Sequence, residues 1–203
     1  MFRLPIFADV YMLALPPVTR NIIVACSVVY FLQSTSGLPI DELFALWPLG
    51  PNFQAWQLVT YAFLHANLTH LLFNMFGLWM FGSEIERLWG GRRYTQYLLV
   101  STLSAGALQL LLVWGTQMQH PTVGASGGIF GLLLAFAVMF PHRKIIPLFP
   151  PIPMPAWLAV TIFGLIELFE GVTGTLAGVA HFAHLGGMLG GALMLNYWRG
   201  GRR

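Results

Sequence analysis

The chain has 203 residues, of which 57% are hydrophobic and only 8% charged. A soluble domain carries roughly 25% charged residues, so this composition excludes a water-covered globule and assigns an integral membrane protein. Ten Lys and Arg against seven Asp and Glu leave a net charge of +3, which in such a protein marks the cytoplasmic side rather than a nucleic-acid partner.

The opening residues, interrupted by Asp9, Pro16 and Pro17, do not read as a signal peptide. Cys26 stands alone and cannot form an internal disulfide. Six apolar stretches then follow in chain order. The first runs from Val18 to Gln33. A long segment from Ser34 to Asn67 comes next, too interrupted to span, with Trp47 and Trp56 suited to the interface. It predicts short helices lying in the outer leaflet. The second stretch is Leu68 to Trp89, the third Tyr94 to Trp114 and the fourth Ser126 to Phe140. A proline-rich connector, "PHRKIIPLFPPIPMP", predicts extended chain. Ala156 to Gly171 is the fifth and Ala180 to Trp198 the sixth. Runs this long and non-alternating exclude a barrel. The fold class expected is an all-α membrane protein, a six-transmembrane-helix bundle. It forms one membrane domain over 1–203: a short N-terminus 1–17, a core 18–198 and a tail 199–203.

Charge sets the orientation. Arg3 and Arg20 precede the first stretch; Arg87, Arg92 and Arg93 lie between the second and third. Arg143 and Lys144 lie between the fourth and fifth, and Arg199, Arg202 and Arg203 follow the sixth. These are all ten basic residues. Both termini are therefore expected in the cytoplasm.

Polar residues inside the stretches can then be ranked by depth. His70, Gln109, Ser126 and His184 each lie about 15–17 residues from the first basic residue at the cytoplasmic end of their helix, or roughly 22–26 Å. Four helices thus place Ser, His, His and Gln in one layer, somewhat below the outer surface of a core roughly 30 Å thick. Asn74 follows one turn below His70 on the same face. The fourth stretch is short, so Ser126 sits at a sunken helix N-terminus, where free N–H groups favour a developing negative charge. Gly127-x-x-x-Gly131 and Gly187-x-x-x-Gly191 permit close helix approach. That approach brings Ser126 and His184 within reach as a nucleophile–base pair.

Each feature also has an ordinary role. A serine in a membrane helix usually bonds a backbone carbonyl, and the match of Gly124 to Gly128 to G-x-S-x-G lacks the strand that the soluble hydrolase elbow needs. His181 and His184, at i and i+3, are a metal pair or packing residues. Gln109 alone reads as a helix–helix contact. Coincidence in depth is what favours chemistry.

Three motifs sharpen the reading. "GASG" at Gly124–Gly127, "HANLTHLLFNM" at His65–Met75 and "AHFAHLGG" at Ala180–Gly187 resemble those of the rhomboid intramembrane serine proteases, from about Pro16 to Trp198. The resemblance implies Ser126 as nucleophile and His184 as base, with His70, Asn74 and the Ser126 backbone N–H as oxyanion donors. It also implies a substrate site that includes Gly124, with Phe130 stacked on the base where many members have Tyr. Gln109 is expected to hold water. Trp56-Gln57 stands where the family often has Trp-Arg, which implies a more loosely anchored outer loop.

The expected activity is endopeptidase cleavage of transmembrane substrates near their outer ends, in the lipid bilayer of a bacterial inner membrane, with no cofactor, metal or nucleic acid; nothing fixes the oligomeric state. The sixth stretch holds no Asp or Glu, so a dyad without a carboxylate is expected. Glu167 and Glu170, on the fifth, are alternatives for a third member beside His184, but a gate or surface role is expected; Phe163 and Phe169 are candidate gates. Two other classes remain: a metal or haem protein using His65, His70, His181 and His184, and an inactive rhomboid-like scaffold.

Overall fold

A computed structural model of the protein describes residues 15–114, 120–147, 150–174 and 178–200. Arg3, Arg202, Arg203 and most of the expected N-terminal segment lie outside the described residues.

Helix α1, Pro17–Thr35, begins with proline at its first position, where the missing N–H costs nothing. Short helices α2, Ile40–Phe44, and α3, Gln57–Thr60, follow, the latter continued by a 3₁₀ turn at Tyr61–Phe63. Helix α4, Leu68–Gly77, is capped by the Asn67 side chain, which accepts from the His70 N–H at 2.8 Å. It passes through a π-turn, Leu78–Gly82, into α5, Ser83–Val113. Within α5, Gly90 breaks the helix at φ 74°, a conformation open to glycine. The second and third stretches are therefore one run, divided at Gly90. Helix α6 is Ser126–Met139, α7 Ala156–Thr173 and α8 His181–Gly200.

Within the connector after α6, two short extended segments, Lys144–Ile145 (β1) and Met154–Pro155 (β2), pair as a two-residue antiparallel ribbon. Two helical runs are long and apolar enough to cross a membrane, Leu68–Val113 and Ala156–Thr173, and Ser126–Met139 is a shorter apolar helix. Helices α1 and α8 have spanning length, at 19 and 20 residues. Arg20, Asn21 and Gln33 in the first, and His181, His184 and Asn196 in the second, dilute their apolar character.

The core surrounds α6, which packs against α5, α7, α8 and the π-turn. Leu132, Ala135 and Phe136 of α6 meet Leu78, Phe81, Tyr94, Tyr97 and Leu195 there. Small residues set the spacing. A Cβ at Gly187 would land on the Gly127 carbonyl, one at Gly191 on the Tyr97 hydroxyl, and one at Gly127 on Ala105. The two small-residue motifs therefore hold α6 and α8 in backbone contact, as their spacing predicts. Gly187→Val is expected to force these helices apart, lowering both thermal stability and activity. A melting curve and a turnover assay on one preparation check this.

Helix α1 is tied down by a distant carboxylate. Buried Glu86, on α5, accepts from the N–H groups of Val18 (2.9 Å) and Thr19 (2.7 Å) and from the Thr19 hydroxyl (2.8 Å). It caps a helix N-terminus that has no side-chain cap of its own. Glu86→Ala strands these donors and is expected to cost about 2–3 kcal/mol. Chemical denaturation measures that loss, and turnover per folded molecule is expected to change little.

The outer segment is anchored more firmly than the resemblance implies. Gln57 is fully buried. Its Oε1 accepts from the N–H of Trp47 (3.3 Å) and Gln54 (3.1 Å), and its Nε2 donates to the carbonyls of Asn52 (3.1 Å) and Leu43 (3.4 Å). One neutral amide, both donor and acceptor, thus satisfies four backbone groups, which corrects the expectation of a loosened loop.

Candidate active site

Ser126 opens α6, and His184 lies in the first turn of α8. Gly127 and Gly187 let the two helix starts converge, and the His184 Nε2 stands 2.7 Å from the Ser126 Oγ. That is the distance of a strong O–H···N contact, and His184 is buried. Phe130, one turn into α6, stacks flat on the His184 ring, with centroids 4.3 Å apart and planes 6° from parallel. Phe130 therefore limits where the imidazole can turn.

Gly124 sits just before the serine with φ at 122°, and its N–H bonds the Tyr61 carbonyl at 2.9 Å. A Cβ there would meet the His70 ring at 2.7–2.8 Å and the Asn74 Nδ2 at 3.8 Å. The serine loop and the α4 face that carries His70 and Asn74 are thus neighbours. Asn74 is buried, and its Nδ2 donates to the His70 carbonyl at 3.0 Å, an i to i−4 contact within α4. Among the described residues just before Gly124, 120–123, there is one isolated antiparallel bridge, Leu46 with Thr122, and no longer strand. The serine therefore stands on a different support from the soluble hydrolase elbow.

Gln109 is buried on α5, with its Oε1 unpartnered among the described residues. It lies one turn beyond Ala105, which touches Gly127. His65 is buried against the His70 ring, with centroids 5.2 Å apart. Burial, with His70 beside it, pushes His65 down to about 4. The four histidines do not converge as one ligand set. Among the described residues the group that brings three metal-type ligand atoms within 4.8 Å of one another is Glu167, His181 and His184.

Glu167 is the residue whose surroundings the sequence left open. It is not on the surface. Its side chain is 13% exposed, and its Oε2 lies 2.7 Å from the His181 Nδ1 and 2.8 Å from the His184 Nδ1. The first contact is a well-formed hydrogen bond. The second is as short but lies off the ring's N–H axis, leaving the His184 Nδ1 without an aligned partner. The i to i+3 relation within α8 did not decide whether a carboxylate from α7 reaches these rings. His181 itself meets Glu167, while His184 is the ring at Ser126.

The rhomboid domain model matches residues 52–199. The chain is 27% identical over 195 residues to rhomboid protease GlpG of Klebsiella pneumoniae, covering 95% of this chain and 66% of that protein. It is 26% identical over 181 residues to rhomboid protease GlpG of Salmonella choleraesuis, covering 88% and 62%. Against Rhomboid protein 1, mitochondrial, of Saccharomyces cerevisiae it is 31% identical over 144 residues, covering 65% and 38%. The chain thus spans a little under two thirds of the length of the GlpG proteins it matches. With a rhomboid domain matched from residue 52 to 199, the chain belongs to the rhomboid family.

Proposed function

We propose that this protein is an intramembrane serine endopeptidase, and the observation that carries the proposal is the 2.7 Å approach of the Ser126 Oγ to the His184 Nε2. In this reading six helices (α1, the two limbs of α5 with α4 leading into the first, α6, α7 and α8) cross the bilayer. Both chain ends lie on the cytoplasmic side, since every Lys and Arg falls there. The membrane in this reading is a bacterial inner membrane, in keeping with the bacterial sources of the GlpG relatives. The segment from Ser34 to Asn67 lies in the outer leaflet.

The chemistry is acyl transfer to water. The Ser126 hydroxyl gives its proton to the His184 Nε2 as the Oγ attacks a peptide carbonyl. The carbonyl oxygen becomes an anion, met by the Ser126 N–H at the start of α6, where first-turn N–H groups have no partner within the helix. The His70 ring and the Asn74 amide, beside Gly124, complete the donor set. Imidazolium His184 then protonates the leaving amine, and the acyl ester on Ser126 remains. A water held by Gln109 hydrolyses it, with His184 again as base, and no cofactor is needed.

The substrates are transmembrane segments that unwind readily near their outer ends. Their freed backbone groups find partners only in a protein depression at that depth. Proteoliposomes carrying the purified protein and a single-span substrate test this reading. A cut within or just outside the outer third of the span is expected, located by mass spectrometry. A cut at the cytoplasmic end, or none with any helix-destabilised substrate, overturns it.

A further inference from the structure

An acidic side chain inside a bilayer is costly, and it persists where it is paired or does work. Glu167 projects from α7 on the face that Gly164 and Gly171 also occupy. Gly164 packs on Met188, and Gly171 on Phe182 and the Cβ of His181. The carboxylate is therefore aimed at the first turn of α8. One oxygen, Oε2, reaches the Nδ1 of both histidines, at 2.7 and 2.8 Å. Both separations fall in the charge-assisted range, and the one to His181 is aligned as a hydrogen bond. For His184 the other ring nitrogen, Nε2, is at the serine.

We propose that Glu167 is a positioning residue that holds the proton of His184 on Nδ1 and steadies the imidazolium formed during attack, so that the dyad works as a Ser126–His184–Glu167 triad. The proposal rests on the protease reading above. Glu167 does not touch the substrate and keeps its negative charge throughout. The proton that moves is the serine's, to Nε2 and on to the leaving amine; the Nδ1 proton stays in place. His181 competes for the same oxygen and, in this structure, has the better-aligned bond. The His184 contact is already short though unaligned in this structure, and catalytic hydrogen bonds often align only when substrate binds. The charged and titratable groups that face His184 are Glu167 from α7, His181 from its own helix and His70 from α4.

The test compares wild type, Glu167→Gln, Glu167→Asp, His181→Ala and Ser126→Ala in proteoliposomes, with melting curves on each. Glu167→Gln is expected to lower kcat by about 10–10³, below the roughly 10⁴ lost when a soluble triad loses its carboxylate with geometry intact. KM is expected to hold. Removing the anion disfavours imidazolium, so the acid limb of kcat/KM should move to lower pH by about one unit. Glu167→Asp keeps the charge and should keep the acid limb near its wild-type position. His181→Ala should stay well above Ser126→Ala in activity. Nitrogen-15 spectra of the His184 ring give a readout that needs no cleavage: its titration midpoint should fall in Glu167→Gln even if that variant melts lower. Wild-type kcat with an unmoved acid limb and midpoint in Glu167→Gln overturns the proposal. So does activity that chelators abolish and Zn²⁺ alone restores, which would make the trio a metal site. If wild type cleaves no more than Ser126→Ala, the protease reading is what has failed, and the His184 midpoint still decides whether Glu167 acts on the ring.

Discussion

Ser126→Ala and His184→Ala are each expected to reduce kcat by on the order of 10⁴–10⁶, to the assay background, because removing either half of a nucleophile–base pair disables the whole unit. The two losses should not add: the double variant is expected to be no slower than either single one. Folding should survive both. Ser126 stands half-buried at the N-terminal end of α6, and the packing of α6 on α8 is carried by Gly127, Gly131, Gly187 and Gly191 rather than by the side chains that react. Steady-state cleavage of a single-span substrate, with melting curves on the same samples, checks both halves. Substantial turnover by either folded variant would remove the pair from the mechanism.

Asn74→Ala is expected to lower kcat by about 10–10³, the range for losing one oxyanion donor. KM should change little, because the charge that the amide meets exists only in the transition state. The competing role is specific: Asn74 donates to the His70 carbonyl at 3.0 Å. If that were its whole purpose, the variant would melt several degrees lower and turn over normally, since polar contacts in membrane bundles are worth roughly 0.6–2 kcal/mol. Melting and turnover measured together separate the two. A donor that leaves the His70 carbonyl for the oxyanion also explains why the amide can be occupied in the resting site and still serve catalysis.

Much of this site was legible in the sequence because it lies along single helices. The start of α6 at Ser126 and of α7 at Ala156 follow from apolar runs bounded by glycine, proline and charge. Gly127, Gly131, Gly187 and Gly191 announced a close approach by their spacing, and the contact they permit is what sets Ser126 against His184. Gly90 fell where charge and glycine interrupt the second and third stretches. What was not legible concerns direction across helices. The Glu167 position fixes its height in the bundle but not its azimuth, and only the packing of Gly164 and Gly171 on α8 turns it toward His184. Gln57 was misjudged for a related reason: a substitution pattern reports the charge lost, not the four backbone groups that a neutral amide can satisfy. The Glu86 cap on α1 joins residues 67 and 68 apart in sequence, which no local pattern signals.

The central claim is that Ser126 is a nucleophile activated by His184. A fluorophosphonate probe, which forms a covalent bond only with an activated serine, tests it without any choice of substrate. The purified protein in detergent or lipid is treated with the probe, and the adduct is mapped by mass spectrometry. The account predicts stoichiometric labelling of wild type on Ser126, no labelling of Ser126→Ala, and greatly slowed labelling of His184→Ala. A folded wild type that does not react, or equal labelling of wild type and Ser126→Ala, would contradict it.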